Sequence, residues 1–408
     1  VRVLFITGNY LPGKNGGIEN YTHWLASVLI NNSIQVEVAA LNVDSTTDCI
    51  YEGVKVNNLK GSFSKFETLL QKGNFDICHF QEYSAFGGIE MRWFQKAKEY
   101  GKVYFTFHLP YFTCYKNDFR YKAIEDCNIF NDPGRCTRCI IADKSGYDHY
   151  RSDALLSILS GISNFTGVRQ KLKKKVIDQY KKLDELIAVC DYIFIYADWF
   201  KKILAENGYD QPSIKKIPYK TKTVLPGTPD PEKGVLKNKI LFVGRIEHQK
   251  GLHLLCKAMN EISTGDIQLD VYGNMVNQDY FDECHKEYDF NFKRTINYPI
   301  LMEILGEYDF LVMPSVFTEM YSMMIKDAFY AKLPVIASTA KGNRDAVSDG
   351  ENGFLFDYND AASLASTIDK AYNLKKNGWT PAFKYSDHPE KDIEEIISYY
   401  LNKSVIEK

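Results

Sequence analysis

The amino-acid sequence predicts an α/β protein made of two doubly wound, Rossmann-like domains. Three observations predict it. The chain has 408 residues, more than one ordinary core accommodates, and two domains of roughly 200 residues each are the natural division. Short apolar runs of the kind that form buried parallel strands alternate with stretches of helical periodicity. The alternation occurs twice, on either side of a polar stretch rich in Pro, Gly, Lys and Thr over residues 213–238.

In the first series, Val1 to Ile6 reads as a buried strand running into a Gly-containing loop. Ile18 to Leu29 reads as a helix with Tyr21, Leu25, Val28 and Leu29 on one face. Strands follow at 36–41, 75–80 and 102–107, the last two separated by a helix over 90–100. Beyond an irregular, cysteine-bearing stretch come a strand at 192–196 and a helix at 199–206. The second series holds strands at 239–243, 269–272, 310–313 and 334–337, with helices at 251–260 and 322–330. The predicted organisation is a first domain over 1–225 with a cysteine-containing insert at about 109–150, a second domain over 226–385, and a C-terminal helix over 386–408 packing back toward the first. Open α/β sheets bind ligands outside the carboxyl ends of their strands. Two such sheets facing each other would enclose a cleft, so functional residues are expected in the strand-to-helix loops.

Composition narrows the function classes. With 45% hydrophobic and 25% charged residues the chain has the balance of a soluble globular protein. A formal net charge of −2 gives no support to nucleic-acid binding, which favours a strongly basic surface. The opening VRVLFITGNYLP lacks the long apolar run and small-residue cleavage site of a signal peptide, and no run approaches the ~18 apolar residues of a membrane span. A cytosolic location is expected. Cys49, Cys78, Cys190, Cys256 and Cys284 are scattered singly and read as small buried hydrophobes in a reducing compartment.

Five constellations suggest chemistry. Gly16-Gly17, with Glu19, lies ahead of the first helix, where glycine lets backbone N–H groups approach a phosphate. The bland alternative there is a tight turn. Gly244-Arg245 and Lys250-Gly251 follow the first strand of the second domain. A planar guanidinium, a point-charge ammonium and glycines suit a diphosphate, although they also suit a solvated loop. The stretch PSVFTEMYSMMIKDAFYAKLPVIAS, Pro314 to Ser338, carries the most information. Glu319 lies ahead of a helix starting at Ser322, and Asp327 lies more than a turn inside it. Acceptor-only carboxylates match sugar and ribose hydroxyls, and the Ser322 and Met323 amides at the helix start can cradle phosphate. Lys341 to Arg344 forms a further loop, followed by turns at Asp349-Gly350 and Asn352-Gly353. His108 directly follows a strand, an active-site position, although a lone histidine is more often structural.

Taken in order, GGIE, FTFH, FVGR with KG, PS with Glu319 and Asp327 ahead of PVIAS, and GN with DGENGF resemble the retaining glycosyltransferases of the GT-B fold. That large family includes bacterial polysaccharide and lipid-linked sugar transferases, and the resemblance spans nearly the whole chain. It implies a nucleotide-sugar donor carrying UDP or GDP, and a glycan or lipid-linked acceptor in cell-surface polysaccharide synthesis. Transfer is expected to be hexosyl or N-acetylhexosaminyl, without a catalytic metal. Gly16 and Gly17 match the family's diphosphate loop. Arg245 and Lys250 match its basic pair, Glu319 the acid that orients the transferred sugar, and His108 the histidine near the reacting carbon. Asp327 stands where a ribose-binding Glu is usual, and Gly244, Tyr321, Ser322 and Met323 complete the implied donor site. Ser322 replaces a usual Gly, and Asp345 replaces a frequent Glu. The motif set holds no well-placed protein nucleophile, so the implied mechanism is front-face attack with the leaving phosphate accepting the proton. A catalytically silent sugar-nucleotide binding module and a GT-B nucleotide-sugar epimerase are the alternatives. A dehydrogenase is disfavoured because no G-x-G-x-x-G run occurs.

Two further features stand apart. Cys114, Cys127, Cys136 and Cys139 cluster after His108, the last two as a C-x2-C knuckle. Four thiolates in a short, loop-rich insert suit structural zinc, with a disulfide pair or unrelated thiols as alternatives. A related insert occurs in some members of the family. Residues 168–183 carry Arg169, Lys171, Lys173, Lys174, Lys175, Lys181 and Lys182 beside apolar Leu172, Val176, Ile177 and Tyr180. Such a basic amphipathic helix predicts peripheral contact with the inner face of the cell membrane, the alternative being a solvated outer face.

Overall fold

A computed structural model describes residues 1–13, 16–43, 47–83, 88–116, 119–122, 125–144, 163–219, 234–384 and 389–401. It divides into two compact units, Val1–Thr221 with Glu390–Lys408, and Lys222–Pro389. The expected domain boundaries at 225/226 and 385/386 fall outside the described residues.

The N-terminal unit begins with β1 (Arg2–Asn9), whose Val3, Leu4, Phe5 and Ile6 are fully buried. Consecutive apolar residues, rather than alternating ones, are what a strand covered on both faces requires. There follow α1 (Gly17–Asn31), β2 (Gln35–Asn42), β3 (Cys49–Tyr51), β4 (Val54–Asn58), α2 (Phe63–Gly73), β5 (Ile77–Phe80), α3 (Met91–Lys98) and β6 (Lys102–Thr106). The cysteine-bearing stretch contributes β7 (Arg120–Tyr121), β8 (Glu125–Asp126) and α4 (Pro133–Lys144). After it come α5 (Ser163–Val189), β9 (Tyr192–Ile195), α6 (Asp198–Glu206) and β10 (Ile214–Lys216). The main sheet runs β10-β9-β6-β5-β1-β2-β4-β3. It is parallel throughout except for the antiparallel β3–β4 hairpin at its edge. The chain moves from β1 to β2 on one side and later to β5 on the other. Phe5 therefore lies opposite Val38 and also opposite His79, and the order reverses between β1 and β5.

The second unit comprises β11 (Lys239–Val243), α7 (Leu252–Glu261), β12 (Gln268–Tyr272), α8 (Gln278–Glu287), β13 (Asn291–Phe292), α9 (Tyr298–Ile304), β14 (Phe310–Met313), α10 (Met323–Tyr330), β15 (Val335–Ser338), α11 (Lys341–Ala346), β16 (Gly353–Phe356) and α12 (Ala361–Lys376). Its sheet is fully parallel, in the order β13-β12-β11-β14-β15-β16. Apolar layers cover both faces, one centred on Ile240, Phe242, Leu255 and Phe310, the other on Leu241, Leu311, Ile325 and Val335. The order reverses between β11 and β14. Asp309, just before β14, is fully buried. It accepts from Lys375 Nζ at 2.6 Å, from Tyr372 Oη at 3.2 Å and from the Lys237 amide at 3.0 Å. This charge is compensated on all sides, as burial demands, and it ties α12 to the entry of β11.

Two sequence expectations are corrected here. Residues 341–344 do not form an open loop: Lys341–Ala346 is a short helix with Lys341, Gly342 and Asn343 buried. The basic segment 168–183 belongs to the much longer α5, whose Val176, Tyr180, Leu183, Leu186 and Ile187 pack into the N-terminal unit. Of the apolar positions, Val176 and Tyr180 are buried in that core and Leu172 and Ile177 are half-buried, leaving Lys171, Lys173, Lys174, Lys175, Lys181 and Lys182 exposed. Sequence reading also passed over the β3–β4 edge, α2, α8 and α12. Among the described residues, no helix is long and apolar enough to cross a membrane.

The last described element is α13 (Pro389–Leu401). It docks on β5, β6 and β9 of the N-terminal unit. His79 is fully buried in β5, with Nδ1 2.7 Å from Tyr400 Oη and Nε2 2.8 Å from Thr106 Oγ1. Tyr104 Oη donates to the Tyr399 carbonyl at 2.8 Å. Burial, reinforced by nearby His108, holds the His79 pKa well below 6.5. Because the folded value lies below the unfolded one, neutral His79 contributes stability that is fully present above about pH 6.5 and is lost as pH falls, by up to about 1.4 kcal/mol per pH unit. We expect the melting temperature to drop between about pH 7.5 and about pH 5.5. His79→Gln should lower it at the higher pH yet flatten the drop. An equal pH slope in both proteins would contradict this role.

Candidate active site

The two sheets each present a reversal point, and Gly16, Gly244, Arg245, Lys250 and Glu319 lie on the loops that leave those points. In open α/β sheets this crevice is where ligands bind, because adjacent loops diverge there.

In the second unit, the loop after β11 runs through Gly244 and Arg245 into a 3-10 turn, His248–Lys250, closed by Gly251. The loop after β14 runs from Pro314 to Ser322. The two are pressed together. Gly251 sits at φ 76°, and a Cβ there would lie 1.9 Å from the Pro314 carbonyl oxygen, so only glycine fits. The Val316 amide donates to the Gln249 carbonyl at 2.9 Å. This close approach brings Lys250 Nζ to 2.5 Å from Glu319 Oε1 and 4.8 Å from the centre of the Phe317 ring. Ser315 Oγ donates to the same carboxylate at 3.3 Å. Both charged side chains are largely covered, at 17% and 14% exposure. Coulomb attraction in such a pair is mostly offset by desolvation, so its role is arrangement rather than stability. An ammonium has three donors; Glu319 occupies one.

Arg245 lies on the same loop but points outward, 60% exposed, with its guanidinium 2.8 Å from Glu247. The Glu319 loop is held from its other side by α11. A Cβ on Gly342 would lie 2.0 Å from the Glu319 carbonyl oxygen, so the two backbones touch. Ser338 Oγ, at the end of β15, donates to the Ser315 carbonyl at 2.7 Å and accepts from Asn343 Nδ2 at 3.1 Å. Ser315, Ser338 and Asn343 were not anticipated from sequence. Their signal was positional, since all lie within a few residues of a strand's carboxyl end.

Helix α10 begins one residue after Ser322, which has extended geometry (φ −83°, ψ 107°) and provides no side-chain cap. The first-turn amides, including that of Met323, therefore lack the usual capping oxygen, a favourable place for an anion. Tyr321 precedes them, with Lys326 Nζ 5.7 Å from its ring centre. Asp327 is buried in the second turn, where its Oδ1 accepts from Tyr298 Oη at 2.7 Å. The sequence had suggested a carboxylate reaching a ligand; the structure gives it a protein partner from α9.

In the N-terminal unit, Gly16 is the N-cap of α1 and Gly17 its first residue. The buried Glu19 carboxylate turns back onto this terminus, with an oxygen 2.5 Å from where a Gly16 Cβ would be. The helix start thus already faces a carboxylate of its own chain. Across the β1–β5 reversal, the Gly8 amide donates to Glu82 at 2.7 Å. His108, two residues after β6, sits with Nε2 2.9 Å from Gln81 Oε1 and its ring edge-on to Tyr21, 5.1 Å between centres. Burial pushes its pKa down to about 3, so the ring is neutral near pH 7. With Gln81 Oε1 accepting, the proton lies on Nε2 and Nδ1 is left as an acceptor. A neutral imidazole can hydrogen-bond a hydroxyl, but it is a poor cationic partner for phosphate. Gln81 and Glu82 were missed by sequence reading, although both directly follow β5.

Known proteins share this architecture. Residues 229–378 match the family described as glycosyl transferases group 1. Over 133 residues the chain is 29% identical to an uncharacterized 41.2 kDa protein in the cps region of Klebsiella pneumoniae, covering 33% of this chain and 36% of that protein. It is 31% identical over 154 residues to glycogen synthase 1 of Geobacter sulfurreducens, covering 34% and 28%. The matches thus span about a third of the length of these curated relatives. Along its whole length the fold matches Anabaena Alr3699/HepE, solved in complex with UDP and glucose, with a TM-score of 0.61, 13% identity, and 98% and 99% of the two chains covered. It likewise matches WaaG, a glycosyltransferase involved in lipopolysaccharide biosynthesis, with a TM-score of 0.60, 13% identity, and 97% and 99% covered. The chain therefore has the two-unit GT-B fold of these glycosyltransferases, and its residues 229–378 match the glycosyl transferases group 1 family.

Proposed function

We propose that the protein transfers a sugar from a nucleoside-diphosphate donor to a hydroxyl acceptor, with retention of anomeric configuration. The observation that carries this reading is the Lys250–Glu319 pair at the β11/β14 reversal, beside the uncapped start of α10. A diphosphate there would meet one cation that is already positioned, a second in the exposed Arg245, and the Ser322 and Met323 amides. These groups stabilise the negative charge that develops on a departing nucleoside diphosphate. Glu319, acceptor-only, suits hydroxyls of the transferred sugar. In the N-terminal unit, neutral His108 is the candidate for a sugar-hydroxyl contact. The departing phosphate itself takes the acceptor's proton, so the scheme needs neither a protein nucleophile nor a catalytic metal. HepE's complexes with UDP support a uridine donor, and a hexose or N-acetylhexosamine is the sugar class to test first. The likeness in fold to WaaG, a glycosyltransferase involved in lipopolysaccharide biosynthesis, makes a glycan or lipid-linked acceptor in cell-surface polysaccharide synthesis the class to test.

Arg245→Ala is the cleaner probe, because the side chain is exposed and its loss leaves the fold intact. Nucleoside-diphosphate release should fall about 100-fold or more in Arg245→Ala and in Lys250→Ala, while Arg245→Ala melts at the wild-type temperature. Near-normal turnover in either would overturn the site. A donor that raises the melting temperature without any turnover or hydrolysis would identify a binding module instead, and conversion of donor alone to an epimer would identify an epimerase.

The exposed lysine face of α5 supports contact with an anionic membrane surface at the cytoplasmic leaflet. With Val176 and Tyr180 of the apolar stripe buried, attachment there is electrostatic rather than by insertion. Flotation with phosphatidylserine or cardiolipin vesicles should carry the protein up at low salt and release it at about 0.5 M salt. Equal flotation with neutral vesicles, or none with either, would contradict it.

A further inference from the structure

We infer that Cys114, Cys127, Cys136 and Cys139 form a zinc site that holds together the segment immediately following His108. All four side chains line one small hollow with about 20 Å³ of free space. That is room for a single ion or water and little else. They arrive from three directions. Cys114 lies in the loop leaving β6, Cys127 directly follows the β7–β8 hairpin, and Cys136 and Cys139 lie in the first two turns of α4. A hairpin followed by a helix that supplies a C-x2-C pair is a geometry in which one tetrahedral ion joins elements too small to form a core. Here β7 and β8 have two residues each, and all nine cysteines of the chain are free thiols.

Hydrogen-bond donors and cations face three of the four sulfurs. Cys136 Sγ accepts from Tyr180 Oη at 3.0 Å, and Cys139 Sγ accepts from the Lys122 amide at 3.1 Å. Lys116 Nζ stands 4.0 Å from Cys139 Sγ, and the Arg135 guanidinium lies near Cys127. Donors of this kind orient thiolate ligands and offset the double negative charge of a zinc tetrathiolate. Among the described residues, no three His, Cys, Asp or Glu side chains stand as a group that could hold a metal ion as placed, and three of the thiols donate to carbonyls. Cys127 points to Ile129 at 3.2 Å, Cys136 to Phe130 at 3.6 Å and Cys139 to Arg120 at 3.6 Å. Binding releases the four thiol protons and swings those sulfurs into the hollow.

The test is elemental analysis of the full chain, expressed with zinc in the medium and purified without chelator. One zinc per chain is expected, with near-zero content in Cys136→Ser/Cys139→Ser and unchanged content in Cys49→Ser. Should the double variant fail to fold, the wild type decides alone. A mercurial reagent should release one zinc to a chromogenic indicator, and cobalt(II) added to the metal-free chain should give the absorption of tetrahedral cobalt–thiolate. A wild type without zinc whose nine cysteines all react as thiols under denaturing conditions overturns the inference, and so does one whose four clustered cysteines are paired as disulfides. Neither result bears on Lys250 or Arg245, so this inference and the proposed reaction fail separately.

Discussion

The Lys250–Glu319 contact is where the fold becomes a site. It joins two loops that leave adjacent parallel strands on opposite sides of a reversal in strand order, the one place in such a sheet where neighbouring loops part and leave a crevice. The approach is fixed by backbone rather than by side-chain attraction. Gly251 lets the Lys250 turn lie against Pro314, and Gly342 lets α11 lie against Glu319. An ion pair covered to this degree contributes little net stability. What it provides is a cation held in one place with donor capacity to spare, beside a helix start without a capping side chain. Preorganised charge of this kind acts on developing negative charge without paying for reorganisation at the moment of reaction.

The N-terminal unit solves a different problem with the same topology. At its β1–β5 reversal three polar groups have protein partners: Glu82 on the Gly8 amide, Glu19 on the start of α1, and Gln81 on His108. Two histidines, His79 and His108, are held neutral by burial. One ties α13 to the sheet, and the other leaves an acceptor nitrogen at the end of β6. This reversal therefore presents carboxylates and neutral hydrogen-bonding groups. The cation beside a helix start lies at the other reversal, between β11 and β14.

Much of this was legible in the sequence, for definable reasons. Buried parallel strands are continuous apolar runs, so β1, β11 and β14 could be placed within a few residues. Each of these runs ends in a glycine- or proline-bearing loop, so Gly16, Gly244 and Pro314 marked the sites as well. What sequence could not supply was partnership. Nothing in spacing says that Asp327 binds Tyr298, that Glu19 folds back over Gly16, or that Ser338 and Asn343 brace the Glu319 loop, because these contacts join residues that only the sheet order brings together. The basic helix shows the same limit. Its charges were legible, but spacing alone could not say that Val176 and Tyr180 of its apolar stripe pack into the core of the unit.

The central claim is that the loops after β11 and β14 form one anion-receiving surface. A crystal structure of the chain with UDP tests it most directly. Diphosphate oxygens should lie within hydrogen-bonding distance of Lys250 Nζ and of the Arg245 guanidinium, facing the first turn of α10. A nucleotide bound with its phosphates remote from all three would contradict the account.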